Sequence, residues 1–419
     1  MTSQKITIIG LGYVGLPLAV EFGRKYSTIG FDINSNRVEE LKKGIDKTME
    51  VETKDLLENI NLHFTSNIED IIDSNVYIIT VPTPIDKFNQ PDLTPIVNAT
   101  KMLAGVIKKG DLIIYESTVY PGCTEEVCVP IIESISGLKY NYEFYCGYSP
   151  ERINPGDKIN TLTKIKKVTS GSNLEISEIV DNLYASIIQA GTFKAKSIKV
   201  AEASKAIENA QRDINIAFIN ELSNIFYKIG IDTSDVLEAA GTKWNFHKYT
   251  QGLVGGHCIG VDPYYLAFKA INLGYEPKLI LSSREINNSI PAFIKERVTN
   301  LLPRNLDKID LLVLGITFKE NCPDIRNSKS YDLVKELQND FRFKINLDLY
   351  DPYADKSQVQ EEYGLDMIEE IEKKYDVIIL TVSHDKFLNL DYLNMKKNKD
   401  SIIFDCKSFL PREIVNDRL

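Results

Sequence analysis

The chain has 419 residues, of which 43% are hydrophobic and 26% charged, and its formal net charge is −10 at pH 7. This length predicts about three domains, and the acidic balance argues against nucleic acid or an anionic membrane surface as a partner. The six cysteines and four histidines show no C-x-x-C or paired-histidine spacing, and no run of about 18 apolar residues is present. We therefore expect a cytoplasmic protein with reduced thiols, no membrane span and no metal site.

Short apolar runs alternate with amphipathic stretches in the first half of the chain. We expect a helix in YVGLPLAVEFGRKY and strands in KITIIG, STIGFDIN, VYIITVPTP and DLIIYESTV. Strands separated by helical stretches indicate a parallel sheet with right-handed crossovers. This half is predicted to form a doubly wound α/β domain, which we place at residues 1–198.

The turn after the first strand carries Gly10, Gly12 and Gly15 as G-x-G-x-x-G. These glycines allow a tight turn, close approach of a pyrophosphate and close helix–strand packing, and the N-terminus of the next helix favours an anion. Asp32 ends the second strand, where a carboxylate binds both ribose hydroxyls and repels a 2′-phosphate. The pattern predicts an NAD site. Arg37 is near enough to flank the adenosine, the alternative being a solvated surface arginine.

Helical periodicity runs from Ser197 to Lys228, where apolar residues recur on one face. It predicts a helix of roughly 25–30 residues, well above the usual 11–12, and Gly230 is a plausible C-terminal stop. A helix of this length can connect two α/β domains, and it often forms a dimer interface. Shorter helices follow it, so we predict a small all-helical dimerisation domain at residues 199–305.

The remaining chain returns to alternating strands and helices. The strands are expected in IDLLVLGITF, INLDLYDPY, YDVIILTVS and DSIIFDCKSF. They predict a second, smaller parallel sheet at residues 306–419. The fold class is therefore α/β, with two Rossmann-like doubly wound domains joined by the long helix and the helical domain.

A thiol stands in the glycine-rich stretch LVGGHCIGVDPYY, residues 253–265. An ordinary buried or loop cysteine is the competing interpretation of Cys258, but the glycines leave space around the sulfur and Asp262 follows four residues later. Lys205 and Asn209 are four residues apart and share one face of the long helix. A cation and an amide placed together could stabilise an oxyanion, although helical lysines are usually solvated.

Two further polar groups follow predicted strands. YESTVYPGCT places Ser117 and Thr118 after one strand, and Glu151 follows another apolar run. Strand ends of a doubly wound domain face the ligand crevice. Glu151 could therefore assist proton transfer or hold a water, the alternative being a surface carboxylate.

Over essentially its whole length the chain resembles the UDP-glucose/GDP-mannose dehydrogenase family. The motifs that carry the resemblance are, in chain order, GLGYVG with Asp32, VPTP (81–84), EST (116–118), SPER (149–152), the helix with Lys205 and Asn209, GGHC, and FKENCPDIRNS (318–328). The resemblance implies oxidation of a nucleotide sugar at its 6-hydroxyl to a carboxylate, with two NAD reduced per sugar. It also implies an N-terminal NAD domain, a central helical dimer domain and a C-terminal domain that holds the nucleotide sugar.

The resemblance also implies a role for each matching residue. Cys258 is similar to the nucleophile that traps the aldehyde as a thiohemiacetal and then a thioester, and Asp262 to a residue that supports Lys205 or a water. The catalytic residues it implies are Cys258, Lys205, Asn209, Asp262, Glu151 and Thr118, the last two positioning the hydrolytic water. The cofactor-binding residues are Gly10, Gly12, Val14, Gly15, Asp32, Arg37, Thr83, Thr118 and Arg326. The substrate-binding residues are Glu151, Arg152, Lys205, Asn209, Arg212, Tyr249, Gly252, Gly256 and Lys319, with Arg212 reaching a neighbouring subunit's substrate.

Departures from the family pattern bear on the sugar. Val261 stands where enzymes for UDP-glucose usually carry lysine, and His257 replaces a tyrosine. YSPERINPGDK and GGHCIGVDPYYL resemble the subgroup that acts on UDP-N-acetylhexosamines. We therefore expect UDP-GlcNAc or UDP-GalNAc as substrate for surface polysaccharide synthesis, with UDP-ManNAc or UDP-glucose as alternatives. Residues 241–252 are expected to line the sugar pocket.

Two rival functions fit part of the pattern. A two-electron dehydrogenase of the 6-phosphogluconate or hydroxyacid kind would use Lys205 and Asn209 without Cys258, but the second α/β block argues against it. A non-catalytic sensor of NAD or nucleotide sugars could lose its thiol and its lysine, yet both are present. The sequence therefore favours the four-electron oxidation.

Overall fold

The computed structural model describes residues 4–153, 159–256, 258–303, 306–339 and 344–419. The chain divides into two compact units. The N-terminal unit comprises Met1–Glu208 and Tyr264–Glu276, and the C-terminal unit comprises Asn209–Pro263 and Pro277–Leu419. The stretch that we predicted as a central domain, residues 199–305, is divided between these two units.

The N-terminal unit is built on an eight-stranded sheet. Its strands are β1 Lys5–Ile9, β2 Ser27–Phe31, β3 Leu62–Thr65, β4 Val76–Ile79, β5 Leu112–Tyr115, β6 Tyr145–Tyr148, β7 Lys167–Gly171 and β8 Thr192–Lys194, in the order β3-β2-β1-β4-β5-β6-β7-β8. Neighbouring strands pair in parallel except β6 and β7, which are antiparallel. The order of the first six strands is that of a dinucleotide-binding sheet, whose crevice opens where the order reverses between β1 and β4.

Helices cover this sheet because its central strands are apolar on both faces. Ile6, Ile8 and Ile78 are buried and pack in one core with Leu16 and Val180, as parallel strands covered on both sides require. The helices of this part of the chain are α1 Gly15–Gly23, α2 Ser35–Lys42, α3 Thr53–Leu57, α4 Thr94–Ala104, α5 Val129–Ser136 and α6 Leu174–Ala185.

The long helix is confirmed within one residue at each end, and its 32 residues slightly exceed the predicted length. Helix α7 spans Ile198–Ile229, and Gly230 follows it directly. Three further helices come next, α8 Thr233–Ala240, α9 Asp262–Asn272 and α10 Lys278–Leu301. Among the described residues, none of the helices combines the length and the apolar character that crossing a membrane requires.

The C-terminal unit contains a second sheet of five parallel strands. Its strands are β9 Lys308–Leu314, β10 Lys344–Tyr350, β11 Val377–Leu380, β12 Ile402–Asp405 and β13 Asp417–Arg418, in the order β10-β9-β11-β12-β13, and its helices are α11 Lys329–Gln338, α12 Lys356–Tyr363 and α13 Tyr392–Met395. This order is the other common doubly wound arrangement. The predicted α/β fold class, with a helical region and two sheets that are parallel except for the pair β6–β7, is therefore confirmed.

Candidate active site

The loop between β1 and α1 has the shape that a bound pyrophosphate needs. A Cβ atom on Gly15 would lie 1.9 Å from the carbonyl oxygen of Gly10 and 2.3 Å from Oγ1 of Thr80, whereas a Cβ on Gly12 would meet nothing within 4 Å. Thr80, which we did not predict, follows β4 and donates a hydrogen bond to the Gly10 carbonyl at 2.7 Å. The open space at Gly12, beside the partly buried Val14 that precedes α1, fits the phosphates of NAD.

Asp32 and Arg37 both bind the backbone of this loop. Asp32 follows β2, and its Oδ2 accepts a hydrogen bond from the Leu11 N–H at 2.8 Å. Arg37 donates from Nε to the Leu11 carbonyl at 3.0 Å and from Nη2 to Oδ1 of Asp46 at 2.8 Å. Only 12% of the Arg37 side chain is exposed, so the solvated-arginine interpretation is wrong. Burial opposes ionisation of Asp46, but hydrogen bonds from Thr48 and Arg37 hold its pKa below the usual value.

Alanine at Gly12 and alanine at Gly15 are both expected to weaken NAD binding, but for different reasons. Gly12→Ala has room in the folded protein, so its melting temperature should stay near the native value while NAD affinity falls by at least about tenfold, because the methyl group occupies the phosphate position. Gly15→Ala forces backbone apart and should lower stability by about 1–3 kcal/mol as well. Thermal melts and NAD titrations of both variants test this, and a G12A protein that binds NAD like the native one would contradict it.

Polar groups also collect where β5 and β6 end. Ser117 donates to the Val81 carbonyl at 2.6 Å, while Thr118 and the predicted cofactor residue Thr83 remain partly exposed. Glu151 is only 6% exposed, so its interpretation as a surface carboxylate is wrong. Arg152 forms a two-pronged ion pair with Glu208.

Cys258 lies in the turn that leads into helix α9. Its carbonyl accepts hydrogen bonds from the N–H groups of Val261 at 3.2 Å and Asp262 at 2.8 Å. The residue is partly exposed, whereas the five other cysteines are buried. Oδ2 of Asp262 accepts from Nδ2 of Asn209 at 2.5 Å, and both side chains are buried. Within the C-terminal unit the structure thus brings three predicted catalytic residues together, Cys258, Asp262 and Asn209.

The glycines before Cys258 serve a purpose that we did not predict. We expected them to leave space around the sulfur for the sugar. The structure adds a packing role, because a Cβ on Gly255 would lie 2.3 Å from the Asn327 carbonyl oxygen and a Cβ on Gly256 would lie 2.5 Å from the Phe318 ring. Gly256 N–H donates to the same Asn327 carbonyl at 3.1 Å. The glycines therefore let the Cys258 loop pack against the stretch 318–328, while space for the sugar at the partly exposed Cys258 stays a prediction.

A buried amide on helix α7 holds the start of the same loop. Asn220 donates from Nδ2 to the Gly252 carbonyl at 3.1 Å, and its Oδ1 accepts from the Gly252 N–H at 2.9 Å. Asn287 of helix α10 accepts from Nδ2 of Asn220 at 2.8 Å and itself donates to Asp213. Sequence reasoning missed Asn220, although an asparagine on the apolar face of a long helix is a signal for a buried hydrogen bond.

Removing this amide should loosen the loop. Asn220→Ala leaves two buried backbone groups of Gly252 without their partner, at about 1–3 kcal/mol for each group. We expect a loss of about 2–4 kcal/mol in the free energy of unfolding. Asn215→Ala is the matched control on the same helix, because the Asn215 amide bonds the Gln211 carbonyl of its own helix. Denaturant unfolding of both variants measures the difference, and equal losses would contradict the role of Asn220.

The other predicted residues lie in varied surroundings. Lys205 is 6% exposed, one turn before Asn209 on helix α7, so it is not a solvated lysine. Arg326 forms a bidentate pair with Asp324, with its Nε 3.0 Å from Oδ1. Gly252 is buried against the Lys407 side chain. Lys319 and Tyr249 are partly exposed, Arg212 is exposed, and His257 lies outside the described residues.

Comparison with known proteins covers the whole chain. The NAD binding, central and UDP binding domains of the UDP-glucose/GDP-mannose dehydrogenase family match residues 4–188, 199–289 and 312–412. A UDP-N-acetyl-D-glucosamine 6-dehydrogenase of Pseudomonas aeruginosa is 52% identical over 100% of both chains. That of Salmonella typhi is 51% identical over 99% of this chain and 98% of its own. The solved structure of a UDP-D-ManNAc dehydrogenase from Pyrococcus horikoshii is 29% identical, with a TM-score of 0.87 over 99% of this chain and 98% of its own.

Proposed function

The chain belongs to the UDP-glucose/GDP-mannose dehydrogenase family, and from this premise we propose that it oxidises UDP-N-acetylglucosamine at the 6-hydroxyl to the uronic acid. The observation that carries the substrate assignment is the 52% identity, over the full length, to a protein named for that reaction. Val261, at the position where enzymes for UDP-glucose usually carry lysine, supports the same choice. The product would serve surface polysaccharide synthesis.

The N-terminal unit would hold the cofactor at the loop between β1 and α1. When bound, NAD would accept one hydride in each of the two oxidations, so two NAD would be used per sugar. We assign the pyrophosphate to the space at Gly12 and the adenosine ribose to Asp32, whose carboxylate is already oriented by the Leu11 N–H. Arg37 and Asp46 would keep this loop in shape. Thr83, Thr118 and Arg326 remain proposed cofactor contacts.

Cys258 is proposed to retain the intermediate between the two oxidations. An alcohol becomes an acid by losing four electrons, and each hydride carries two. The thiolate adds to the aldehyde carbon, a C–S bond forms, and the carbonyl oxygen takes a proton. The second oxidation removes a hydride from this carbon and the proton from its oxygen, which leaves a thioester. Water then forms a new C–O bond and the C–S bond breaks. The carboxylate is released, the Cys258 sulfur stays on the protein as a thiolate, and two protons are given up.

The groups around this reaction have separate proposed tasks. Lys205 would stabilise negative oxygen and favour the thiolate. Asp262 would orient Asn209, because it takes one amide hydrogen and leaves the other for a substrate oxygen. Glu151 would accept the proton of the hydrolytic water, with Thr118 holding that water.

Family membership also suggests how the substrate is bound, what each domain does and that the enzyme is a dimer. We propose that Lys319 and residues 241–252 bind the nucleotide sugar. The domain at 1–198 would bind NAD, the domain at 199–305 would carry the Cys258 loop, and the domain at 306–419 would hold the nucleotide sugar. A homodimer is supported by apolar residues that helix α7 leaves exposed, among them Phe218 and Ile225; Arg212 would then reach the second subunit's substrate. We place the enzyme in the cytoplasm, where Cys258 stays reduced.

The test is the number of NADH formed per sugar. Purified protein with excess NAD should convert UDP-GlcNAc with two NADH per sugar and give the uronic acid by mass spectrometry. UDP-GalNAc, UDP-ManNAc and UDP-glucose are the matched comparisons, and preferred turnover of any of them would overturn the substrate assignment. One NADH per sugar would overturn the thioester route. A protein that binds NAD but turns over none of the four sugars would be a sensor.

A further inference from the structure

The antiparallel strand β7 brings a lysine to the end of the sheet where Glu151 lies. Glu116 directly follows β5, and Glu151 comes shortly after its parallel neighbour β6. Because β7 runs the other way, its first residue, Lys167, lies at this same end. Tyr148 pairs with Ser170, and this register, continued three residues further, places Glu151 opposite Lys167. The topology therefore gathers one cation and two carboxyl groups at one edge.

The three groups form a buried cluster. Nζ of Lys167 lies 2.6 Å from Oε2 of Glu116 and 3.8 Å from Oε2 of Glu151. The side chains of Lys167, Glu116 and Glu151 are 3%, 0% and 8% exposed. Tyr184 of helix α6 donates its hydroxyl to Oε1 of Glu116. One ammonium thus lies within ion-pair distance of two carboxyl groups that are almost fully buried.

The two carboxyl groups are not equivalent. Glu116 is bound on both oxygens, by Lys167 and by Tyr184. Oε1 of Glu151 accepts the Ile153 N–H, but its Oε2 is buried and has no hydrogen-bond partner among the described residues. Arg152 does not neutralise Glu151, because its guanidinium is paired with Glu208. Oε2 of Glu151 is therefore the atom of this cluster that remains to receive a proton from water.

We propose that Lys167 is a positioning residue that keeps Glu151 ionised for its work as the base, and that Glu116 limits this effect by competing for the same ammonium. The inference rests on the proposed function, in which Glu151 activates the hydrolytic water. A base must be ionised to accept a proton, and burial favours the neutral carboxyl. The same burial raises the pKa of Glu116 despite the contact with Lys167.

Two substitutions should move the pH dependence of hydrolysis in opposite directions. Hydrolysis should slow towards acid pH, because a protonated carboxyl cannot accept the proton of water. Lys167→Met removes the cation that favours the carboxylate, so this acid limb should move up by about 1–3 pH units. Glu116→Gln removes the competing carboxylate and leaves the ammonium to Glu151, so the limb should move down. If Lys167 and Glu116 only supported the fold, both variants would hydrolyse the thioester more slowly, and their acid limbs would not move in opposite directions.

The measurement follows the thioester itself. Enzyme mixed with NAD and UDP-GlcNAc is quenched at intervals, and intact mass spectrometry gives the decay of the acyl group on Cys258 at each pH. Lys167→Arg keeps the charge and should stay near the native profile. Lys194→Met is the matched control, because Lys194 pairs with Glu178 on the surface of the same unit, and its profile should be native.

The outcomes separate this inference from the proposed function. If the native enzyme hydrolyses the thioester but K167M and E116Q share its acid limb, or move it the same way, the positioning role is wrong and the function stands. If K167M does not fold, the E116Q variant is sufficient for the test. An acid limb of E116Q that stays in place or moves to higher pH overturns the proposal. A native enzyme that forms no NADH from any UDP-sugar would instead overturn the function.

Discussion

Replacing Cys258 by serine is expected to abolish acid formation while leaving the protein folded and able to bind NAD. Serine is nearly isosteric, and Cys258 is partly exposed in a turn held by backbone hydrogen bonds, so the fold should tolerate the change. A serine hydroxyl at neutral pH is a far weaker nucleophile than a thiolate. We expect acid formation to fall by at least about three orders of magnitude, and the yield to drop from two NADH per sugar to one or fewer.

Cys406 provides the matched control for this substitution. It is buried in the core of the C-terminal unit, and burial raises the pKa of its thiol well above the usual value, which makes it unreactive. Cys406→Ala should lower the melting temperature slightly and keep two NADH per sugar. Steady-state NADH formation and mass analysis of the product compare the two variants. A C258S enzyme that still makes acid at the native rate would exclude the covalent route.

Replacing Lys205 by methionine is expected to have the second largest effect. Methionine fills a similar volume, so it should replace the buried lysine side chain without leaving a cavity. The proposed cation that stabilises developing negative oxygen is lost, and a single such group is worth about 10²–10³ in kcat. We expect kcat to fall by this factor with little change in NAD affinity.

Two further variants show whether this effect belongs to the site. Lys199→Met removes a lysine from the same helix whose side chain is 55% exposed, and it should leave kcat unchanged. Lys205→Arg keeps the charge but not the compact ammonium geometry, and it should recover only part of the rate. Stopped-flow measurement of the first NADH formed isolates the step concerned. Native kcat in K205M would refute the assignment.

Local pattern was sufficient for much of this protein. The glycine loop, the carboxylate of Asp32, helix α7 and the strands β1, β2, β4, β5 and β9 to β12 were predicted from short stretches of sequence, whereas β3, β6, β7, β8 and β13 were not. Such features depend on the period of apolar residues and on where glycine allows close approach, both of which are properties of neighbouring residues. The family motifs likewise made Cys258, Lys205 and Glu151 candidates for catalysis without any knowledge of their contacts.

Features that depend on strand direction and on distant packing could not be found this way. Lys167 reaches Glu116 and Glu151 because β7 runs antiparallel to β6, and nothing in the residues around Lys167 specifies that direction. Gly255 and Gly256 pack against Asn327 and Phe318, more than sixty residues later in the chain, and the glycines alone did not indicate this contact. The sequence by itself determined which chemical groups this protein carries and the local turns that present them. Only the tertiary structure decided which groups are neighbours, because burial and charge pairing arise between residues that the chain brings together on folding.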